Sequence, residues 1–598
     1  MIKISLRRNN TVDFGHRRTI MGTVLFVFLL LLHFSCAKRQ INDRFSRLAN
    51  DFLDNYWTFY PIKASMMGLH DFDNQMDNWE KDAINKRTKK LHDFQQQLNN
   101  IDSTLLTNQN KIDYIILQHQ IKAEFWELKS KRPWENNATF YNDILKQAIL
   151  GITSNEHLSS EHKCKNLINR LKQFPGVILL AEENLVKPKR LSVDLAIEQV
   201  IPLQFMLTSE ITKIVHQCPE WQDSLLFYNN LVSDSLINYS NYLKKELLLS
   251  SEKEQPIGED LYLQILKDFY QIDWTIDKII AEAEKERHWC YQQIVDISTD
   301  LHQKYFPKQG TVPLSDKRMV EKVLDRLSDK YKADNLLIDL VNKINEDIKI
   351  FIETKEIFKI PEDYKLNIVR TPEWEDSYPL VYLKTPGPFE NEQKYFYCLK
   401  SPTDNLNWLD QISFSRRFNK SRLEVLTIQN VLPGKLLLST ELNKHRSVVR
   451  KVFRDKNLTA GWPLYAGFIM TETGYGGYDL RIRLQNLILY LQEVVSLLMD
   501  FKYHTSQITA QQAIFKLVDE SFMNLNQAQF KLTQIQLNPA RQISPFWGYI
   551  QLRNIFRECR LLAGNYFDRT MLWERMLNNG AIPLPLLRKK LKYDIKNK

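Results

Sequence analysis

Apolar residues recur at every third or fourth position over most of this chain, the spacing that lays them along one side of a helix. In FSRLANDFLDNYWTFY, residues Phe45, Leu48, Phe52 and Tyr56 fall on a single face, and helix follows helix to about residue 150. The stretch RLQNLILYLQEVVSLLMDF repeats Leu484, Leu487, Ile488, Leu491, Val495 and Leu498, which predicts a helix with a strongly buried side. Further helices are expected over 165–185 and 277–306. Between 364 and 405 the period changes: apolar residues alternate and Pro-Gly pairs punctuate them, which reads as two or three short strands. The expected fold is mainly α, a large multi-helix body with a small β-sheet. Only 17 Gly and 21 Pro in 598 residues agree with helices rather than with a many-turned sandwich or barrel.

The N-terminus breaks this pattern. Arg17 to Cys36, RRTIMGTVLFVFLLLLHFSC, gives two arginines, an apolar run short for a bilayer span, and a cysteine where the polarity changes. That is the outline of a secretory signal over 1–36, and Ser35 before Cys36 points to lipoprotein processing with Cys36 acylated. No later apolar run is expected to reach bilayer length, so the lipid is the membrane contact, in a bacterial envelope and facing the periplasm from the outer membrane. The remaining 37–598, about 560 residues, form a single helical domain, with an N-terminal part over 37–270 and a C-terminal part over 271–598. An apolar content of 43% with 11% aromatics is that of a folded chain. The net charge of +10 is spread without any aromatic-spaced basic block, which excludes nucleic acid as a partner class. Without Cys36 the cysteines are odd in number: Cys164, Cys218, Cys290, Cys398 and Cys559. At least one thiol is then free, and buried thiols packing as small hydrophobes are expected rather than a disulfide framework.

The chemistry concentrates in TIQNVLPGKLLLST, residues 427–440, and LTAGWPLYAG, residues 458–467. These stretches resemble the bacterial family called domain of unknown function 885, whose members look like zinc peptidases with a His-Glu-x-x-Pro-Gly-His motif and a Glu-Gly-Trp-Ala-x-Tyr motif. Pro433 and Gly434 keep the first frame; Gly461, Trp462 and Tyr465 keep the second. The resemblance then places the family's first His, its Glu and its second His on Gln429, Asn430 and Lys435, and its liganding Glu on Ala460. Amides are poor zinc ligands, an Asn amide is no general base, an ammonium repels a dication and a methyl donates nothing. Downstream, His504 and Gly548 persist with Asn538-Pro539, while the family's Arg falls on Ser496, its Tyr on Pro545 and its Lys on Tyr549. The proline has no hydroxyl to steady an oxyanion. The resemblance therefore implies a peptidase-like scaffold with a sheet at the edge of a central cleft, and no catalytic residue, bound metal or cofactor.

Two other groups invite a metal reading. EHLSSEH brings Glu156, His157, Glu161 and His162 together but reads as a solvated helix start, and His288 lies on the opposite side of its helix from Cys290. Three functions follow. The first is a catalytically inactive, peptidase-like envelope lipoprotein that binds a peptide or protein. The second is an active metallo-hydrolase rebuilt on Glu441, His445 and His504, the first two at helical i, i+4 spacing. The third is a structural envelope component.

Overall fold

The computed structural model describes residues 14–307, 314–328, 334–362, 364–372, 374–375, 381–400 and 419–597, with the side chains of 14–36 and 334–335 excepted. The chain is a stack of helices around one continuous core, with a three-stranded sheet set into it. The first helix, Phe14–Phe59, runs unbroken past Cys36, whose side chain lies outside the described residues. Its face of Phe45, Leu48, Phe52 and Tyr56 is buried as the periodicity predicts. Phe52 and Tyr56 meet Phe453 edge-on, with ring centroids 5.9 and 5.1 Å apart. Arg450 donates to Asp113 at 2.6 Å, a second tie between the N-terminal and C-terminal parts.

Helices Ser160–Asn184 and Ile276–Tyr305 stand where the sequence places them. The helix Arg190–Val215 corrects one expectation. It is long and apolar enough to cross a membrane by length and composition, with 39% of its most apolar stretch buried inside the body. The inward side, from Val193 through Leu203 and Leu207 to Ile214, is core, whereas Ile201 and Phe205 stand exposed. The five described cysteines are all free and buried.

The sheet comprises β1 (Tyr364–Arg370), β2 (Val381–Lys384) and β3 (Gln393–Leu399), in the order β1-β3-β2. β3 runs parallel to β1 and antiparallel to β2, with Val381 opposite Leu399. From the central strand Tyr395 shares a 2.8 Å hydrogen bond with the hydroxyl of Thr440, so the sheet braces the motif helices from behind. The loop after β2 docks on the 68–70 turn, where Phe389 N–H donates to Met67 O at 3.0 Å. That docking needs glycine on both sides: a Cβ on Gly387 would lie 2.4 Å from Met67 backbone, and one on Gly68 would lie 2.6 Å from Glu390 N.

The helix Leu480–His504 is buried nearly all round. Its apolar face packs in the core, and a second, polar face of Gln485, Asn486, Gln492, Ser496 and Asp500 is equally enclosed. An amphipathic surface helix does not look like this. Of these five, Gln492 lines the interior cleft, while Asp500 accepts from Gln542 N–H at 3.2 Å.

Candidate functional site

Four helices carry the motif residues at that cleft. Lys420–Asn430 is capped by the Asn419 side chain, which accepts from Arg422 N–H at 3.0 Å. It ends at a tight reversal through Leu432, Pro433 and Gly434 into Lys435–Lys444. The reversal leaves no room for a side chain at Gly434, because an added Cβ would lie 2.0 Å from Gln429 O. Lys456–Glu472 is capped by Asp455, which accepts from Leu458 N–H at 2.6 Å. From it Trp462 Nε1 donates to Pro433 O at 2.9 Å and locks the reversal, a bond of about 1 kcal/mol net. Ile543–Ala563 crosses the same helix in backbone contact: a Cβ on Gly461 would fall 2.3 Å from Gly548 C, and one on Gly548 would fall 2.0 Å from Asn457 O. Tyr465, deeper in the crossing, accepts from Trp573 Nε1 at 3.2 Å. The retained residues Pro433, Gly434, Gly461, Trp462, Tyr465 and Gly548 thus fix the backbone behind the cleft.

Gln429, Asn430, Lys435 and Ala460 all line one cleft of about 1140 Å³. Lys435 Nζ donates to Asn430 Oδ1 at 3.0 Å, and Asn430 Nδ2 donates to Leu426 O at 2.8 Å. Gln429 is buried and its Nε2 has no acceptor among the described residues. Ala460 contributes a methyl group. A zinc ion needs several nitrogen, oxygen or thiolate donors converging on one point. These side chains supply two amides and a cation, so they do not fit that metal. Nowhere among the described residues do three His, Cys, Asp or Glu side chains converge for one.

Desolvation by the surrounding helices lowers the Lys435 pKa, against the weaker opposing pull of Glu493. The same cause brings Lys456 down to about 7. Lys456 is one turn before Ala460 and its ammonium rests 3.2 Å from the centroid of the Phe269 ring. Asn538, Pro539 and Pro545 form part of the opposite wall, and Val381 brings the start of β2 to the rim. Ser496 does not reach the cleft lining; its hydroxyl donates to Gln492 O within its own helix at 2.5 Å. Tyr549 is withdrawn into an aromatic cluster with Phe468 and Tyr490. Arg422, Lys456, Lys531 and Arg541 also line the cleft and escape a reading of the sequence, since they come from four separate segments.

The alternative metal set is not assembled. Glu441 sits in the helix, but the helix stops at Lys444, and His445 follows with extended backbone (φ −61°, ψ 140°). This breaks the i, i+4 relation. The His445 ring accepts from Ser447 N–H at 3.0 Å, and burial beside Arg450 lowers its pKa. His504 lies behind the cleft, with Nε2 2.9 Å from Ile535 O, and burial holds its pKa down to about 4. It is a neutral packing residue here.

The EHLSSEH segment also departs from a merely solvated helix start. Ser159 caps the helix as expected, accepting from His162 N–H at 3.2 Å. His162 Nε2, however, lies 2.9 Å from Asp73 Oδ2, and Glu156 pairs with Lys394 of β3. Asp73 also meets His70 Nδ1 at 3.1 Å, and His70 Nε2 faces Glu390 at 3.4 Å. The carboxylates raise the His70 pKa to about 9. His288 is exposed and Cys290 buried with its thiol 3.2 Å from Leu487 O, on opposite sides of their helix.

The same fold is seen in a candidate lipoprotein of unknown function from Shewanella oneidensis, at 21% identity and TM-score 0.77, over 92% of this chain and 99% of that one. It is seen again in a candidate lipoprotein from Colwellia psychrerythraea, at 15% identity and TM-score 0.76, over 94% of this chain and 99% of that one. None of the curated proteins matches the chain. A family model for bacterial proteins of unknown function (DUF885) matches residues 61–591, nearly the whole of the helical body, and the chain belongs to that family.

Proposed function

We propose that this chain is an envelope lipoprotein that holds a peptide or protein partner in a peptidase-like cleft without cleaving it. The observation that carries the reading is the Lys435 ammonium hydrogen-bonded to the Asn430 amide at the cleft floor, with Gln429 and Ala460 beside it. A cation occupies the place where the family resemblance puts a metal ligand, and an amide the place of the general base. Neither can activate water. The cleft itself is kept, enclosed by a backbone that tolerates no side chain at Gly434, Gly461 or Gly548. Edge strand β2 offers main-chain groups beside the rim at Val381, a surface on which an extended peptide can align.

Zinc content by elemental analysis tests the inactive reading: fewer than about 0.1 zinc per chain is expected after dialysis, and a stable ratio near one overturns it. The cell-envelope assignment rests on the signal-like segment ending at Cys36 and agrees with the candidate-lipoprotein relatives. Cys36→Ser is expected to abolish lipid labelling and to release the protein to the soluble periplasmic fraction. A Cys36→Ser protein still found in the membrane pellet sinks the lipid anchor, and points to the apolar helix Arg190–Val215 or to the uncleaved N-terminal segment as the contact.

A further inference from the structure

We propose that the cleft selects an acidic peptide, whose carboxylates are held by Lys435, Lys456 and Arg541; this rests on the peptide-binding reading above.

The charge of the lining carries it. Eight basic side chains line the cleft against four acidic ones. All four acids are already engaged. Glu127 pairs with Lys131 at 3.6 Å, Glu252 with Lys189 at 3.3 Å and Glu493 with Lys531 at 3.4 Å, while Glu254 accepts from Leu191 N–H at 2.5 Å. The surplus is therefore concentrated on cations with no carboxylate partner among the described residues: Lys187, Lys435, Lys456 and Arg541. Lys435 satisfies one of its three donors on Asn430, and the others open onto the cleft. Lys456 faces the ring of Phe269, and the Arg541 guanidinium has no hydrogen-bond acceptor among the described residues.

Lys435, Lys456 and Arg541 are all solvent-exposed, so an incoming carboxylate can reach them without displacing a protein carboxylate. The volume of about 1140 Å³ exceeds the range usual for small-molecule sites and leaves room for several residues of chain.

The test is isothermal titration calorimetry on the full chain in mild detergent, with hexaglutamate, hexalysine and a neutral Gly-Ser hexapeptide as probes. Hexaglutamate is expected to bind at least tenfold more tightly than the neutral peptide at low salt. The preference should shrink several-fold in 0.5 M sodium chloride, as screening of charge contacts requires. Lys435→Gln and Lys456→Gln, each confirmed folded by its thermal melt, should each weaken hexaglutamate about tenfold and leave the neutral peptide unchanged. Equal affinity for all three peptides overturns the acidic preference while the peptide-binding cleft stands. Binding of none of them overturns both. Displacement of hexaglutamate by inorganic phosphate below about 1 mM overturns the acidic peptide in favour of a phosphate-bearing ligand.

Discussion

Two polar clusters, one at the docked 68–73 turn and one in the cleft, differ in how their charges are met. Where the 68–73 turn docks against the loop after β2, His70 and His162 share Asp73, and Asn155 and Glu390 complete the ring with Asn155 Nδ2 donating at 2.8 Å. Positive and negative groups balance, and the cluster joins parts of the chain more than 200 residues apart. In the cleft Lys435, Lys456 and Arg541 pair with no carboxylate among the described residues. Partnered charge at a junction reads as structure; unpartnered charge lining a cleft reads as a surface kept for a ligand.

The sharpest way to break the comparison is to remove the floor. Gly434→Ala forces a Cβ into Gln429 O, a clash with backbone that cannot move aside. A loss of about 4 kcal/mol or more is expected by denaturant unfolding, with collapse of peptide binding. An unchanged midpoint means that the reversal is looser than described.

The next effect should be a gain. Gln429→His, Asn430→Glu, Lys435→His and Ala460→Glu together restore the donor types of the family motif on a backbone that still holds their positions. Zinc uptake is expected, with about 3 kcal/mol of stabilisation at a hundredfold excess over its dissociation constant. Hydrolysis of a peptide panel is expected to stay near background, since Pro545 and Ser496 return no hydroxyl or guanidinium to the transition state. Failure to take up zinc shows that the four positions do not converge.

The junction answers to pH. The His70 pKa is raised above the ordinary 6.5 to about 9, so the stabilisation it brings is complete below pH 6.5 and is lost as pH rises through about 9. With allowance for the partial exposure of its side chain, His70→Gln is expected to cost about 1–2 kcal/mol at pH 6 and close to nothing at pH 10. A cost that is flat across this range removes the charge from the account.

The smallest effect is expected at the floor itself. Lys435→Met exchanges a solvent-exposed cation for an apolar side chain of similar length, and should change stability by no more than about 0.5 kcal/mol in the absence of ligand. A larger loss places Lys435 with the partnered charges.

Much of this architecture is legible in the sequence, because periodicity needs only neighbours: the faces of Phe14–Phe59 and Leu480–His504 and the three strands follow from spacing alone. Pro433-Gly434 marks the motif reversal and Gly461 the helix crossing, because no side chain fits at either glycine. Other features needed the third dimension. The parallel register of β1 on β3 is set by packing across some twenty intervening residues. The partner of His162 is 89 residues away. The reading of Glu441 and His445 as one face assumed that the helix continued, whereas Ser447 caps a new helix, Val448–Val452, and leaves His445 in the link. The cations of the cleft come from segments spread between Lys131 and Arg541, and no local motif could gather them.

The unbroken course of Phe14–Phe59 past Cys36 has a mechanical consequence. Ile41 already packs on the core, and Asn42 donates to Leu105 O at 3.2 Å and accepts from Thr107 N–H at 2.9 Å, so only the exposed turn 37–40 stands free of the body, a rigid strut of about 6 Å. A chain tethered by lipid at Cys36 would ride on this strut instead of on a pliant linker. Its standoff from the bilayer would then be set by helix geometry and not by the reach of a coil.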